Sequence, residues 1–184
     1  MEDYGKKKDQ APAATVEAED GYSGMFPEIL QWDERWGYSP YGTSIIAVSG
    51  CGPTCVSMLV VGLTGDKTVT PSVVADYATQ NHYVDENNDT TWAFMTSGVE
   101  HWGLTCRESN GNESEIAKEL EAGHPVICSM RPGDFTDIGH FIILTSYNNG
   151  NVTICDPFSL ENSKKSWNYS QISSQIKAVW VYSK

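Results

Sequence analysis

The sequence has no long apolar run, no excess of basic residues and no glycine-rich phosphate loop, and each absence excludes a class of protein. The longest apolar stretch, residues 56–63, is far shorter than the roughly 20 residues that span a bilayer, so we expect no transmembrane segment. Lysine and arginine number 12 against 24 acidic residues, and the net charge of −12 argues against nucleic-acid binding, which needs a basic surface. Gly-x-Gly occurs only around Cys51 without a nucleotide-binding pattern, and we expect no cofactor.

Cysteine is sparse, and its spacing does not describe a disulfide scaffold. The five cysteines are Cys51, Cys55, Cys106, Cys128 and Cys155, and an odd number leaves at least one thiol unpaired in an oxidising compartment. Cys128 and Cys155 lie within apolar runs, where small core residues are expected. A zinc site on Cys51 and Cys55 would need a second pair of ligands, and the sequence offers none. The acidic patch at residues 85–89 fits no EF-hand spacing, so we interpret it as a solvated loop and expect no metal site.

The composition changes near residue 23, which predicts two regions. Residues 1–23 combine three lysines with an alanine, proline and acidic run and almost no large apolar side chain, as in a disordered tail or linker. Residues 24–184 have the length and apolar content of one domain. The three lysines are not followed by an apolar segment, so no signal peptide is visible. We expect an extracellular or cell-surface location with the signal segment absent from this chain, and a cytoplasmic location stays open.

Along the domain, apolar residues first recur at helical spacing and then, after residue 123, form strand-like runs. The predicted helices are residues 51–64, a helix that opens at Thr70, residues 91–101 and residues 113–122; the predicted strands are residues 125–130, 140–147, 152–156 and 178–182. The composition of residues 148–151 indicates a hairpin turn. Helices followed by a hairpin-connected antiparallel sheet define the α+β class, with the N-terminal helices packed on the C-terminal sheet.

The segment Ser49-Gly50-Cys51-Gly52-Pro53 places a cysteine where a helix begins. Proline is tolerated in the first turn of a helix, and the free N–H groups and the dipole of a helix N-terminus stabilise a thiolate. The flanking glycines predict room for the close approach of a substrate backbone. The alternative is a small buried cysteine at a tight turn. A thiolate is the nucleophile of cysteine enzymes, so the choice depends on whether a base lies nearby.

His140 and Asp156 are the best candidates for a base and for the group that orients it. His140 begins the central apolar strand and Asp156 ends the next one, so the predicted hairpin brings them roughly opposite each other, with Cβ atoms about 4.5–5.5 Å apart. A carboxylate there could fix the imidazole tautomer and stabilise imidazolium. The other histidines are His82 in a polar loop, His101 at a helix end and His124 in a turn. Taken singly, His140 could begin a strand and Asp156 could end one without any catalytic role.

Acyl transfer also needs hydrogen-bond donors for a developing oxyanion. The backbone N–H of Cys51 is one candidate. Gln31 is the best side-chain candidate in the ordered stretch before Cys51. The alternative interpretation is that Gln31 is a surface residue in an aromatic-rich loop.

Four segments give the chain a resemblance to a known family. They are Gln31-Trp32-Asp33-Glu34-Arg35-Trp36-Gly37, Ser49-Gly50-Cys51-Gly52-Pro53-Thr54, Gly139-His140-Phe141-Ile142-Ile143-Leu144 and Asp156-Pro157. In this order they resemble the bacterial cysteine peptidases of the bacteriocin-processing, double-glycine type, and most closely their stand-alone papain-like relatives. The resemblance implies a papain-like fold, Cys51 as nucleophile, His140 as base, Asp156 as orienting acid and Gln31 as oxyanion donor. The processing peptidases keep a glutamine a few residues before the cysteine, where this chain has Ile45 and its neighbours.

The leading interpretation is a cysteine peptidase that acts on a peptide or protein substrate through a thioester. A cell-wall amidase or transpeptidase would use the same residues. A non-catalytic papain-like binding module on the cell surface is the alternative from another class, with the aromatic-rich segment of residues 25–41 as its binding face. Reaction of Cys51 with a thiol-directed inactivator separates an enzyme from such a module.

Overall fold

The computed structural model describes residues 9–184. The strands are β1 Tyr22–Ser23, β2 Phe26–Pro27, β3 Pro40–Tyr41, β4 Ser44–Ile45, β5 Thr105–Ser109, β6 Val126–Met130, β7 His140–Asn148, β8 Asn151–Cys155, β9 Ser166–Asn168 and β10 Ile176–Ser183. The helices are α1 Ile46–Ser49, α2 Cys51–Thr64, α3 Pro71–Gln80, α4 Trp92–Thr96, α5 Glu113–Glu121, α6 Leu160–Lys164 and α7 Tyr169–Ile172, with 3₁₀ turns at Gly98–Trp102 and Ser173–Gln175.

A six-stranded antiparallel sheet in the order β5-β10-β6-β7-β8-β9 forms the C-terminal part of the fold. Both faces of its central strands are buried: Phe141 and Ile143 of β7 pack with α2, α3 and α4, whereas Ile142 and Leu144 pack with α5 and α7. Alternate side chains of a strand point to opposite faces, so one continuous apolar run serves two cores. The predicted α+β class, with N-terminal helices on a C-terminal antiparallel sheet, is confirmed.

Helix α2 is the 14-residue centre of the larger core. Ten of its residues are buried, and it ends at Gly65 in the left-handed conformation that favours glycine. These are the bounds that the sequence predicts. Among residues 9–184, no helix is both long and apolar enough to cross a bilayer.

One predicted helix differs from the structure, and the two edge strands of the large sheet have no counterpart in the prediction. The helix expected over residues 91–101 is a short α4 followed by the 3₁₀ turn Gly98–Trp102. The edge strands β5 and β9 were not predicted, because each is short and β5 is mostly polar and exposed, without apolar alternation.

The prediction of a disordered tail over residues 1–23 is wrong for the later part of that segment. Residues 1–8 lie outside the described residues. Val16 is a core residue, its N–H donates to the carbonyl of Lys67 at 2.8 Å, and the N–H of Ala13 donates to the carbonyl of Arg35 at 2.8 Å. One buried valine and two main-chain hydrogen bonds attach this polar stretch to the domain, although its composition alone predicts that it is unfolded.

Candidate active site

Cys51 is the first residue of α2 and is half-buried. Gly50 precedes it as the N-cap residue, and Pro53 lies in the first turn. No side chain caps this helix start and no acidic residue lies in its first turn. The first-turn N–H groups and the positive end of the helix dipole are therefore available to stabilise negative charge on the Cys51 sulfur.

The glycines that flank Cys51 make room for the protein itself, and the expectation that they admit a substrate backbone is wrong. A Cβ atom on Gly50 would lie 2.5 Å from Cγ2 of Ile46, and one on Gly52 would lie 2.2 Å from Oγ1 of Thr90. Thr90 is nearly buried, and its hydroxyl is hydrogen-bonded to the buried Tyr41 hydroxyl. The two glycines let α2 begin in close contact with its neighbours, which sets the position of Cys51.

We expect Gly52→Ala to move Cys51, since the new methyl group cannot share its place with Thr90. A displacement of this size should lower the rate of Cys51 chemistry about 100-fold. Gly65→Ala is the matched control at the other end of α2: nothing lies near its Cβ, but its φ of +77° makes alanine strained. That variant should lose about 1 kcal/mol of stability and keep its activity. A wild-type rate of Cys51 alkylation in Gly52→Ala would contradict the positioning role.

His140 and Asp156 are in direct contact. Nε2 of His140 lies 2.7 Å from Oδ1 of Asp156, and the two side chains are 8% and 1% exposed. This is the contact that the sequence predicts, in a site shielded from water, where charge-assisted hydrogen bonds are strong.

The pKa of His140 is raised from 6.5 to about 10. Burial acts in the opposite direction and lowers it, but the hydrogen bonds from the ring to Asp156 and to Cys51, with their charges, outweigh the burial. Both partners therefore favour the protonated imidazole. Asp156 occupies Nε2, which leaves Nδ1 as the ring nitrogen for the thiol of Cys51.

The predicted register of the β7–β8 hairpin is wrong, although the contact it was meant to explain is present. Strand pairing joins Asn148 to Asn151 at the turn, shifts between Leu144 and Ser146, and ends with Ile143 opposite Cys155. Asp156 therefore follows the end of β8 instead of facing His140 directly. A β-bulge of this kind adds a residue to one strand and cannot be located from alternation in the sequence.

The carboxylate of Asp156 has two further donors, which the sequence analysis missed. Its Oδ1 accepts the N–H of Phe158 at 2.9 Å and its Oδ2 accepts Nδ2 of Asn162 at 2.8 Å. Asn162 lies in α6, whose start is capped by the Ser159 hydroxyl. The spacing from Ser159 to Asn162 is a helix-start signal, and it could have placed a helix just after Asp156.

Gln31 lies in the same cleft as Cys51, despite the distance between them in the sequence. It lines the same cleft as Cys51 and His140, is 3% exposed, and its N–H donates to the carbonyl of Pro157 at 2.7 Å. Its side-chain Nε2 donates to the carbonyls of Ala47 at 3.2 Å and Ile46 at 3.4 Å. Its buried Oε1 has no hydrogen-bond partner among the described residues.

Two clefts meet at Cys51 and His140. The larger cleft, of about 620 Å³, is lined among others by Gln31, Val48, Asp137, Ile138 and Phe158. The smaller cleft, of about 270 Å³, is lined among others by Asp89, Thr90, Trp92, Ile138 and Lys177. A peptide chain crossing the site from one cleft to the other would pass over the Cys51 sulfur.

The other histidines and cysteines are outside this site. His101 stacks on Tyr77, and His124 is paired with Glu119 at 2.7 Å. The Cys55 thiol is buried and donates to the carbonyl of Phe141 at 3.4 Å, which directs it into the core and away from a zinc site with Cys51. Within residues 9–184, no three histidine, cysteine, aspartate or glutamate side chains are grouped as a metal site.

Helices on an antiparallel sheet, with a thiol at a helix start beside an imidazole and a carboxylate, define the architecture of the papain-like class. The Peptidase_C39 like family matches residues 7–184, and the chain belongs to that family. Membership supports a cysteine peptidase at the level of the family.

One solved structure supports the fold, and a second is reported beside it for comparison only. The peptidase domain of Streptococcus ComA, a bifunctional ABC transporter involved in a quorum-sensing pathway, is 12% identical with a TM-score of 0.54, over 74% of this chain and 93% of that one. A C39-like peptidase candidate from Bacillus anthracis is 16% identical with a TM-score of 0.44, over 92% of this chain and 97% of that one. A search of curated proteins finds no significant match.

Proposed function

We propose that the chain is a cysteine peptidase that hydrolyses peptide bonds through Cys51, His140 and Asp156. The observation that carries the proposal is the buried His140–Asp156 hydrogen bond of 2.7 Å beside a thiol at an uncapped helix start. A thiol alone at a helix start could be structural. A buried imidazolium paired on one side with a carboxylate, and facing that thiol on the other, has the arrangement of a nucleophile, its acid–base partner and an orienting group.

The first half of the reaction forms a thioester. The Cys51 thiolate attacks the carbonyl carbon of the scissile bond, and the electron pair of that carbonyl moves to its oxygen. As the tetrahedral intermediate collapses, the carbon–nitrogen bond breaks and the His140 imidazolium gives its proton to the leaving amine.

The second half hydrolyses the thioester. Once the sulfur is acylated and uncharged, Cys51 no longer raises the pKa of His140, and burial continues to lower it. The imidazole can then accept a proton from water, which attacks the thioester carbonyl and releases the acid. Cys51 leaves as thiolate, and the proton stays on His140, so the starting ion pair is restored.

The oxyanion is stabilised by the N–H of Cys51 and by Gln31. The two hydrogen bonds of the Gln31 amide nitrogen, at 3.2 and 3.4 Å, are long for N–H···O bonds. One of them can be exchanged for a stronger bond to an oxyanion. Both donors are fixed by the fold before a substrate binds, which is what such stabilisation requires.

We expect iodoacetamide at about pH 6 to alkylate Cys51 at least about 100-fold faster than Cys106, since the thiolate is the reacting form. Cys106 is the matched internal control: it is also half-buried, and burial raises its pKa to about 11. Peptide mapping by mass spectrometry gives the two rates in one sample. Equal rates for the two cysteines would contradict an activated nucleophile at Cys51.

A peptide library separates the proposed reaction from its relatives. New carboxyl termini, absent with Cys51→Ala, are expected of a peptidase. Cleavage of cell-wall peptide fragments without cleavage of the library would instead indicate a cell-wall amidase, and joined peptides a transpeptidase. The absence of these products together with the absence of an adduct at Cys51 would indicate a binding module.

A further inference from the structure

The larger cleft has an exposed apolar lining beside the nucleophile. Ile138 is 89% exposed, Val48 72% and Phe158 56%, and all three line this cleft together with Cys51. Exposed apolar side chains that converge on one concave surface indicate a binding site, because water covers them unfavourably.

The loop that presents Ile138 is held in place by its own contacts. Within residues 131–139, the Phe135 ring packs 4.6 Å from that of Trp167, and the Asp134 carboxylate accepts Nε2 of Gln175 at 2.7 Å. The hydroxyl of Thr136 accepts the N–H of Ile138 at 3.1 Å. A loop fixed in this way holds its exposed tip ready for a ligand, and little ordering is needed on binding.

The charge of this lining is acidic. Asp134 and Asp137 line the cleft, and among the described residues of the lining His140 is the one basic side chain. His140 is already engaged with Asp156 and Cys51. Asp137 is exposed at the loop tip next to Ile138. The net charge of −12 adds to the attraction for a basic ligand.

We infer that the larger cleft selects a peptide segment that carries a bulky apolar side chain next to a basic one. The apolar side chain covers Ile138, Val48 and Phe158, and the basic side chain faces Asp137. The inference rests on the proposed function, and it adds the substrate class.

Protection of Cys51 from alkylation tests the inference without requiring turnover. The probes are short synthetic peptides with Leu-Lys, Leu-Glu, Ala-Lys or Ala-Glu in a background of glycine and serine. We expect Leu-Lys to halve the alkylation rate at about fivefold lower concentration than Leu-Glu, the effect of one exposed charge pair. It should do so at about tenfold lower concentration than Ala-Lys, because the leucine covers apolar surface.

Two variants assign the preferences to the loop. Asp137→Lys should reverse the order of Leu-Lys and Leu-Glu, and Ile138→Ser should reduce the difference between Leu-Lys and Ala-Lys. Both positions are exposed, so the fold should be retained. The matched controls are Asp76→Lys and Val73→Ser, exposed positions of α3 that line neither cleft. In these two variants the four peptides should protect Cys51 from alkylation as they do in the wild type.

The failure of this inference differs from the failure of the proposed function. Equal protection by the four peptides, or an unchanged order in Asp137→Lys, would overturn the inference even if the protein hydrolyses peptides. Selective protection without hydrolysis of any peptide would support the inference and contradict the proposed function.

Discussion

Cys51→Ala is expected to abolish peptide hydrolysis, with a fall in rate of about 10⁶-fold, while the protein stays folded. The side chain is half-buried at a helix start and contributes little to the core, so the free energy of unfolding should change by less than about 1 kcal/mol. The rate is measured as the appearance of new carboxyl termini in a peptide library, and stability by urea unfolding.

Loss of Cys51 should also be visible at His140. The hydrogen bond and the charge of Cys51 are among the contributions that raise the pKa of His140 to about 10. Without them the pKa of His140 should fall, and a titration followed by NMR detects the change. This readout reports on the interaction between Cys51 and His140 independently of any substrate.

Cys55→Ala is the matched control one helical turn further along α2. Cys55 is fully buried, and its thiol donates to the carbonyl of Phe141. The variant should lose about 1–2 kcal/mol of stability through the small cavity it leaves, with hydrolysis unchanged. Activity that follows Cys55 and survives the loss of Cys51 would show that the nucleophile is assigned wrongly.

The parts of this structure that could be predicted from sequence are those with a strong local signal. The glycines and proline around Cys51 predict where α2 begins, and Gly65 predicts where it ends. The turn of the β7–β8 hairpin is predicted by Asn149-Gly150, and both residues have the positive φ angles that such a turn requires.

Other features depend on contacts between residues distant in the chain and have no local signal. The bulge between Leu144 and Ser146 shifts the register that alternation predicts. Asn162 reaches Asp156 because α6 folds back after the strand. The rigid loop that presents Ile138 is fixed by Gln175 and Trp167, which come later in the chain.

The glycines that flank Cys51 show that a glycine beside a candidate nucleophile does not by itself indicate space for a substrate. Small residues beside a nucleophile suggest space for a substrate. In the folded chain that space is filled by Ile46 and Thr90. Glycines at these positions indicate that other atoms approach closely, but the sequence alone does not say whether those atoms belong to a substrate or to the protein.

Asp156→Asn is expected to lower kcat/KM about 10²- to 10⁴-fold while Cys51 can still be alkylated. The amide oxygen can still accept from Nε2 of His140, and rotation of the Asn162 amide offers an acceptor to the new NH₂ group. The orientation of the ring is kept and the charge that stabilises imidazolium is lost. The pKa of His140 should therefore fall, and alkylation of Cys51 at about pH 6 should slow without stopping.

The raised pKa of His140 also predicts that the stability of the protein depends on pH, and that Asp156→Asn changes this dependence. A histidine whose pKa is raised from 6.5 to about 10 on folding stabilises the fold fully below the lower value, and this contribution is lost as the pH rises through the upper one. The difference in unfolding free energy between wild type and Asp156→Asn should be largest at about pH 6 and vanish above about pH 10. Urea unfolding at a series of pH values measures it.

Asp156→Ala is the decisive comparison, because it removes orientation and charge together. It leaves three donors without an acceptor, namely Nε2 of His140, the N–H of Phe158 and Nδ2 of Asn162. Each buried donor left unpaired costs about 1–3 kcal/mol, so this variant should be less stable than Asp156→Asn as well as less active. Rates are therefore compared below the unfolding transition of each variant. Full activity of Asp156→Ala under those conditions would show that the carboxylate only ends a strand, and the chemistry would then belong to Cys51 and His140 alone.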